Sequence, residues 1–525
     1  MDAISLEERK REIELIKTRN LMEKAPRLDK QELIYMGCPE WTINIILEER
    51  GEKVSQNERL EIQSDAVIRN KVLELMAMKP PRRSEATELV VKRILELNHI
   101  FTTRDDSQEE VWIYDRGIYV PNGKSFIMEE VRLILGQAFS MWFFKEVLVK
   151  IQADTMIDQK EFFKMRHKEE IAVQNGILNI ITKELSSFSP DKIFFNKLPV
   201  FYDENIRCYV IEEFLKDILS NEEDIKVYYE LGGFALLKEY RYEKAFMFVG
   251  NGRNGKGRAL ELIKRVIGAE NCYSLPLSAI SSENADVSGL FNKMVNLAGD
   301  ISNTDLKETG LFKSLTGRDL VTAKRKYLTA ITFENYAKFI FACNDLPMVY
   351  DLSKGFWDRW ILLEFPYYFG TKQEMEQADE DKKKYIKERD ESIIDKITTP
   401  EQLSGLLNEF IKGLERLIKN KTFSSTKGSE EIKTTWIRRS NSFIAFCMDF
   451  LEEDYESKIS KKDLRRVYSK YCQKHKVIGK SDKVIQRVLQ ENYGADEERL
   501  SVLGGNLERF WVGIKWKGGE LPGFP

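Results

Sequence analysis

The chain has 525 residues, 42% of them hydrophobic, with 82 Lys and Arg against 85 Asp and Glu for a net charge of −3. That is enough apolar content for about three to four cored domains, with no run long enough to cross a membrane. The slightly acidic balance excludes a protein that grips nucleic acid over its whole surface and leaves only local basic patches. Six cysteines with no C-x-x-C pair and three histidines suggest neither a disulfide framework nor a zinc site. The charged start MDAISLEERK has no apolar signal core, so the expected compartment is a reducing cytoplasm.

Residues 1–80 read as a helical N-terminal region, with helical periodicity from Leu6 to Glu23 and again from Trp41 to Glu49. Lys79-Pro80-Pro81-Arg82-Arg83-Ser84 reads as a linker. Residues 85–220 carry a mixed α+β pattern. A hairpin is expected over Val111 to Val120, turning at Asp115-Arg116-Gly117; a helix follows from Met128 to Trp142, and a second small hairpin from Gly176 to Leu185. No catalytic constellation stands out there. From 221 to 370 a helix (Asn221 to Glu239) leads into alternating apolar strands and helical segments, the pattern of a parallel α/β sheet. Residues 371–430 form a highly charged helical connection, and 431–525 a compact terminal unit.

The densest chemistry begins at the strand Ala245-Phe246-Met247-Phe248-Val249, which runs into Gly250-Asn251-Gly252-Arg253-Asn254-Gly255-Lys256 and then a helical segment, Arg258 to Val266. Glycines let successive backbone N–H groups converge on an anion, and the helix N-terminus adds its dipole. Lys256 offers a mobile cation for the β- and γ-phosphates, but Gly257 stands where a P-loop usually supplies a Mg²⁺-ligating hydroxyl. Gly250, Gly252 and Gly255 also satisfy the G-x-G-x-x-G dinucleotide fingerprint, with Glu270 at the distance of a ribose contact. A glycine-rich hairpin without a ligand is the third reading of the same residues.

Four stations follow. Met294 to Gly299 is an apolar strand with Asp300 at its tip, as an acid that holds Mg²⁺ or its water requires; in isolation it is also an ordinary buried strand. Leu311 to Asp319 reads as a helix ending at Gly317, before a strand or hairpin with Lys324-Arg325-Lys326 beside Tyr327. Basic groups with an aromatic neighbour suit a single nucleic-acid strand, and equally a solvated turn. Phe339 to Cys343 is a buried strand ending in Asn344, placed to touch a γ-phosphate or to cap the turn before Pro347. In Phe356-Trp357-Asp358-Arg359-Trp360, Arg359 suits an arginine finger acting on a neighbouring subunit, or an ion pair with a nearby carboxylate.

In this order the series resembles the superfamily 3 helicases, an AAA+ group of viruses, phages and plasmids, and most of all the helicase half of phage, plasmid and poxvirus primase-helicases. The resemblance rests on Asn254-Gly255-Lys256, Asp300, Lys313 to Asp319, Asn344 to Pro347 and Trp357 to Arg359. A dinucleotide fold has no use for that series. The resemblance implies an AAA+ P-loop ATPase core over 221–370, an α+β domain over 85–220 and a C-terminal winged helix over 431–525. The terminal unit is read as helices at Phe443 to Leu451, Lys461 to His475 and Asp482 to Glu491, with a wing from Arg499 to Lys517. Its basic residues include Lys461, Lys462, Arg465, Arg466, Lys483 and Arg487, a DNA-binding face or a solvated helical surface.

The resemblance thus implies an ATP-dependent DNA helicase of a virus or plasmid replication system, working on single-stranded DNA as a ring, most simply a hexamer, in a prokaryotic host cytoplasm. ATP and Mg²⁺ are the expected ligands: residues Gly250 to Gly257 for the phosphates, Asp300 for the metal, directly or through water, Asn344 for the γ-phosphate and Arg359 in trans. Lys324, Arg325 and Lys326 would grip the strand. Origin duplex and a separate primase or polymerase are further expected partners, the latter for residues 1–80, which are too few for a primase domain. Two departures stand out: Gly257 lacks the hydroxyl, and Ile301 follows Asp300 where a second acid would serve as base. They keep open a competing reading, a ring-forming DNA-binding initiator or scaffold with a weakened ATPase. A small-molecule P-loop kinase would need neither the trans arginine nor the basic terminal unit.

Overall fold

The computed structural model describes residues 56–522 apart from 106–108, 165, 283–284, 300–304, 326–327, 352, 379–382, 476–478, 502–506 and 520, with side chains from residue 65 onward. The two helices expected before residue 50 lie outside the described residues. The fold is mixed α/β, with helices and several sheets, in two units: one runs to residue 164 and takes in 188–195, the other holds 165–187 and 196 onward.

In the first unit, helices α1 (Gln56–Ala77) and α2 (Arg83–Leu97) precede strands β1 (Ile100–Thr103), β2 (Val111–Asp115) and β3 (Ile118–Val120). The residues expected to be a linker are a turn between α1 and α2, and Val72 and Leu75 before it share a core with Val90 and Ile94 after it. The β2–β3 hairpin turns on Arg116 (φ 41°) and Gly117 (φ 104°); two positive φ values match the right-handed twist of paired strands. The helix expected from Met128 to Trp142 is two, α3 (Gly123–Leu135) and α4 (Met141–Asp154). Gly136 at φ 54° ends the first, and the Ser140 hydroxyl accepts from Phe143 N to start the second. Strand β4 (Met156–Ile157) completes the sheet in the order β3-β2-β1-β4. Trp112, Tyr119 and Phe162 pack edge to face on its other side.

The second unit opens with a small antiparallel sheet, β5 (Glu170–Val173), β6 (Gly176–Asn179) and β7 (Leu185–Ser186). Helices α5 (Tyr209–Ile218) and α6 (Glu222–Leu236) follow, the second capped by Asn221, whose side chain accepts from Asp224 N at 2.7 Å. Then come β8 (Ala245–Val249), α7 (Lys256–Ile267), β9 (Cys272–Tyr273), β10 (Val295–Ala298), α8 (Gly310–Thr316), the hairpin β11 (Leu320–Arg325) and β12 (Leu328–Glu334), β13 (Lys338–Cys343) and β14 (Trp360–Glu364). Five of these strands form one sheet in the order β14-β8-β13-β10-β9, every pair parallel. A parallel sheet buried on both faces reads as continuous apolar runs, and every residue of β8 and β13 is buried. Strands β15 (Tyr368–Gly370) and β16 (Ile386–Glu388) pair beside it, and α9 (Pro400–Asn420) returns along α6.

Helices α6 and α9 approach closely because their contact is built on glycine: a Cβ at Gly232 would lie 2.1 Å from the Phe410 ring, and one at Gly413 would lie 2.4 Å from Tyr229 O. Beside this crossing Glu230 is fully buried, accepting from Arg416 Nε at 2.6 Å, Ser424 N at 2.8 Å and Ser424 Oγ at 2.6 Å. Removing one partner of a buried pair leaves the other without compensation. Glu230→Ala is expected to destabilise this unit by ~3 kcal/mol, read as a lowered urea midpoint; an unchanged midpoint would show that water replaces the carboxylate.

The chain ends in α10 (Ser429–Ser440), α11 (Ser442–Phe450), β17 (Leu451–Ser460), α12 (Lys461–His475), α13 (Asp482–Tyr493), β18 (Asp496–Ser501) and β19 (Leu507–Trp516), with a sheet ordered β17-β19-β18. Strand β17 went unread in the sequence because Glu452 to Lys458 is mostly charged. It is held by its antiparallel register with β19, Leu451 against Trp516 and Ser460 against Phe510.

Candidate functional site

In a parallel sheet, loops at the carboxyl ends of the strands form the natural ligand crevice. Here those ends deliver Gly250 after β8, Asn344 after β13, Gly299 after β10 and Phe365 after β14. The turn at Gly250 has no room for a side chain: a Cβ would lie 2.0 Å from Asn254 Nδ2 and 2.5 Å from Phe365 O. Gly255, at φ 89°, is the residue before α7, and a Cβ there would strike Ile218 at 2.4 Å. Those two constraints fix the loop so that its backbone turns into the helix N-terminus. Asn254 is buried and donates to Phe365 O at 3.3 Å, tying the loop to the end of β14. Tyr228 Oη donates to Ala259 O at 2.8 Å and pins the first turn of α7 from behind.

Lys256 is 6% exposed and its ammonium is held inside this loop. It donates to Gly250 O, to Asn254 Oδ1 at 3.3 Å and to Asn344 Oδ1 at 3.1 Å. Lys256 and Asn344, 88 residues apart in sequence, therefore meet at one point. Gly252 and Gly257 face open space, with nothing within 4 Å of where a Cβ would stand. Arg253 (φ 45°) turns outward and pairs with Tyr368 Oη at 2.9 Å and Glu374 at 3.1 Å; Asn251 is exposed on the rim. Asp300 lies outside the described residues. Among the described residues no group of three or more His, Cys, Asp and Glu could hold a metal, and no helix is long and apolar enough to cross a membrane.

A cavity of about 820 Å³ opens over the loop, lined by Gly250 to Gly252 and Asn344. Its lining also includes Glu364, Tyr367, Arg438, Arg439 and Lys480, none of which the sequence singled out as part of this site. Glu364 accepts from Lys427 and Arg439. Burial pushes its carboxyl up, but the two cations outweigh that and hold it below the usual carboxylate range.

Arg359 lies at the other end of the sheet. Register places Trp360 beside Ala245 and Glu364 beside Val249, so Arg359 is separated from the loop by the length of the strand, about 15 Å. Its Nε donates to Thr316 Oγ1 at 2.8 Å, another nitrogen donates to Gly355 O, and Glu243 lies 3.5 Å away. The ion pair is thus with Glu243. The more exposed Arg318 approaches the same carboxylate at 3.8 Å.

The basic hairpin also springs from this amino edge. Val321, Ala323, Ile331 and Phe333 face inward, while Thr322, Lys324 and Thr332 face out. Lys324 is exposed and Arg325 half-buried, donating to Thr329 O at 3.2 Å; Lys326 lies outside the described residues. Strand β12 leads through Asn335 directly into β13, whose opposite end is Asn344. At the join, Lys338 is fully buried and donates to Leu237 O and Tyr336 O, and burial depresses its pKa well below the ordinary lysine value.

In the terminal unit Lys462, Arg465 and Arg466 lie along the exposed face of α12, while Arg487 of α13 does not join them. Lys462 and Lys483 are exposed. Lys461 is paired with Glu497 at 2.8 Å, Arg465 with Asp482 and Arg466 with Asp463 at 2.9 Å. Arg487 turns inward and stacks on Tyr350 of the loop after β13, 5.2 Å from the ring centroid. The exposed side of α13 instead shows Lys483, Gln486 and Gln490.

With this geometry in place, comparison with known proteins adds the following. Residues 91–220 match the family described as D5 N terminal like, and residues 248–359 match a family of unknown function, DUF5906. The second window opens inside β8 and closes on Arg359, so it contains the loop, Asn344 and Arg359 together. "Putative helicase L207/L206" of Acanthamoeba polyphaga mimivirus is 24% identical over 42% of this chain and 24% of its own length. "Putative helicase V13" of Sputnik virophage is 19% identical over 65% of this chain and 44% of its own. The chain therefore spans less than half the length of the curated relatives it matches. A solved structure, the apo C terminal region of NrS-1, aligns over 81% of this chain and 98% of its own at 14% identity and a TM-score of 0.44. The chain is similar to viral proteins named as helicases and carries a D5 N terminal like region ahead of its glycine loop.

Proposed function

We propose that this chain is an ATP-dependent DNA helicase of a viral or plasmid replication system, with an AAA+ P-loop core and a C-terminal winged helix, translocating on single-stranded DNA as a ring. One observation carries the reading: the loop lysine and the strand-end amide meet over an open cavity, while a basic hairpin grows from the other end of the same strand, β13. The helix-strand-helix-helix-strand-strand order of the terminal unit supports the winged-helix part, and the two viral relatives support the helicase part.

The residues fit a triphosphate. The loop is held without room for side chains at Gly250 or Gly255, its buried cation donates to oxygens of Gly250, Asn254 and Asn344, and the cavity above it is large enough for a nucleotide. Lys256 would leave Gly250 O for the phosphates, and Asn344, released from it, would orient toward the terminal phosphate. Asp300, next in sequence after Gly299 at the end of β10, would hold Mg²⁺, directly or through water. Mg²⁺ when bound neutralises charge on the β- and γ-oxygens. Since Arg359 is a strand length from its own loop, its contribution to transfer would be made to a neighbouring protomer, which makes a ring, most simply a hexamer, part of the proposal. Lys324 and Arg325 would grip the phosphate backbone, giving binding that is salt-sensitive and blind to sequence. Unwinding of a forked duplex that requires ATP tests the reading; ATP-independent binding without strand separation would contradict it.

Gly257 favours a second reading, a DNA-binding scaffold with a weakened site. A side chain fits there, with nothing within 4 Å of the Cβ position. Gly257→Ser is expected to lower the Mg²⁺ concentration for half-maximal hydrolysis by about tenfold, the value of one added charge-assisted ligand. Hydrolysis that appears only in the variant would select the scaffold reading.

A further inference from the structure

The cavity over the glycine loop is also lined by the end of α10, Arg438, Arg439 and Ser440, and by Lys480. The two arginines are held differently. Arg438 is engaged through two nitrogens by both oxygens of Asp449, at 3.0 and 2.6 Å, which commits it to α11. Arg439 donates to one oxygen of Glu364 and remains 43% exposed. Glu364 is the last residue of β14 and stands in register beside Val249, the residue before the loop; neighbouring strands are about 4.8 Å apart. A carboxylate is thus built into the rim of a loop suited to anions, where it would repel a phosphate unless neutralised. Arg439 neutralises one of its oxygens, Lys427 the other.

This arrangement lets Arg439 leave without exposing an uncompensated charge, because Lys427 stays with Glu364. The guanidinium fork matches a phosphate better than a single carboxylate oxygen, since two parallel hydrogen bonds replace one. The helix that carries it is fixed: Trp436 is fully buried, donates to Pro347 O at 2.8 Å, and packs against Trp357 and Trp360. The exchange is therefore a swing of one side chain. Pro347 follows Asn344 in the loop after β13, so Trp436 ties α10 to the loop that begins at the strand-end amide.

We propose that Arg439 is a phosphate-sensing residue acting on its own protomer's nucleotide, held by Glu364 until the terminal phosphate of a nucleoside triphosphate replaces that carboxylate. This rests on the nucleotide-site reading above and adds to it a residue that discriminates triphosphate from diphosphate. Glu364 sets the threshold: the tighter it holds Arg439, the more the terminal phosphate must contribute.

The test is direct binding to the full chain, with Mg²⁺, of a fluorescent non-hydrolysable ATP analogue and of fluorescent ADP. Arg439→Gln is expected to weaken the analogue by about tenfold or more, the value of a charged hydrogen bond, and ADP by less than about twofold. Glu364→Gln, which loosens the hold on Arg439, is expected to tighten the analogue and leave ADP unchanged, and Arg439→Lys to recover part of the loss. Equal losses for both nucleotides in Arg439→Gln, or no loss, would overturn the proposal. Lys256→Ala separates the two levels. If it loses both nucleotides while Arg439→Gln behaves as wild type, only the Arg439 proposal fails. If wild type binds neither, or Lys256→Ala binds both as wild type does, the nucleotide-site reading fails and takes the proposal with it.

Discussion

Arg359→Ala is expected to reduce ATP turnover by about 10³-fold or more, the range measured when a trans-acting arginine is removed from phosphoryl-transfer sites. The side chain also makes contacts within its own protomer, to Thr316, Gly355 and Glu243, so loss of activity alone would not separate a trans role from a structural one. Mixing does. In a ring of Arg359→Ala and Lys256→Ala subunits, some interfaces combine an intact loop from the first with an intact arginine from the second. Turnover of the mixture is expected to exceed the sum of the separate variants. Mixtures with no gain would reduce Arg359 to a partner of Glu243.

Lys256→Ala is expected to lower turnover by about 10²-fold or more, the effect of deleting one preorganised electrostatic group. The lysine is buried and donates to Gly250 and Asn254 within the loop and to Asn344 after β13, so some local loosening is expected as well. The open cavity, which Asn344 lines, lets water reach that amide in its place. Folding should therefore survive, with hydrolysis lost at an almost unchanged melting temperature. Turnover within threefold of wild type would mean that the loop does not hold the reacting phosphates.

The strand-to-glycine-loop transition was legible because its determinants are local: an apolar run, glycines where the backbone has no room, and a helix start. Four of the five parallel strands were legible from their apolar runs, while the two-residue β9 gave no such run; their order was not legible, since β13 sits between β8 and β10 through contacts far apart in sequence. Gly136 escaped notice because a lone glycine inside an apolar helical pattern gives no sign of its φ. Arg487 was read as part of a basic face because charge was counted along the helices and not around them; α13 turns that residue toward Tyr350. The pairing of Lys461 and Arg465 with acids was hidden for a related reason: Glu497 lies on a later strand and Asp482 on the next helix. Arg439 and Glu364 had no signal at all. Each is an ordinary charged residue until β14 and α10 bring them to the rim of the loop.

The most direct measurement is steady-state ATP hydrolysis by the wild-type chain, with and without single-stranded DNA. The site described here predicts Mg²⁺-dependent turnover that rises when the strand is added, because β13 joins the basic hairpin at one edge of the sheet to Asn344 at the other. Turnover no higher than that of Lys256→Ala, with or without DNA, would contradict a motor and leave a DNA-binding scaffold.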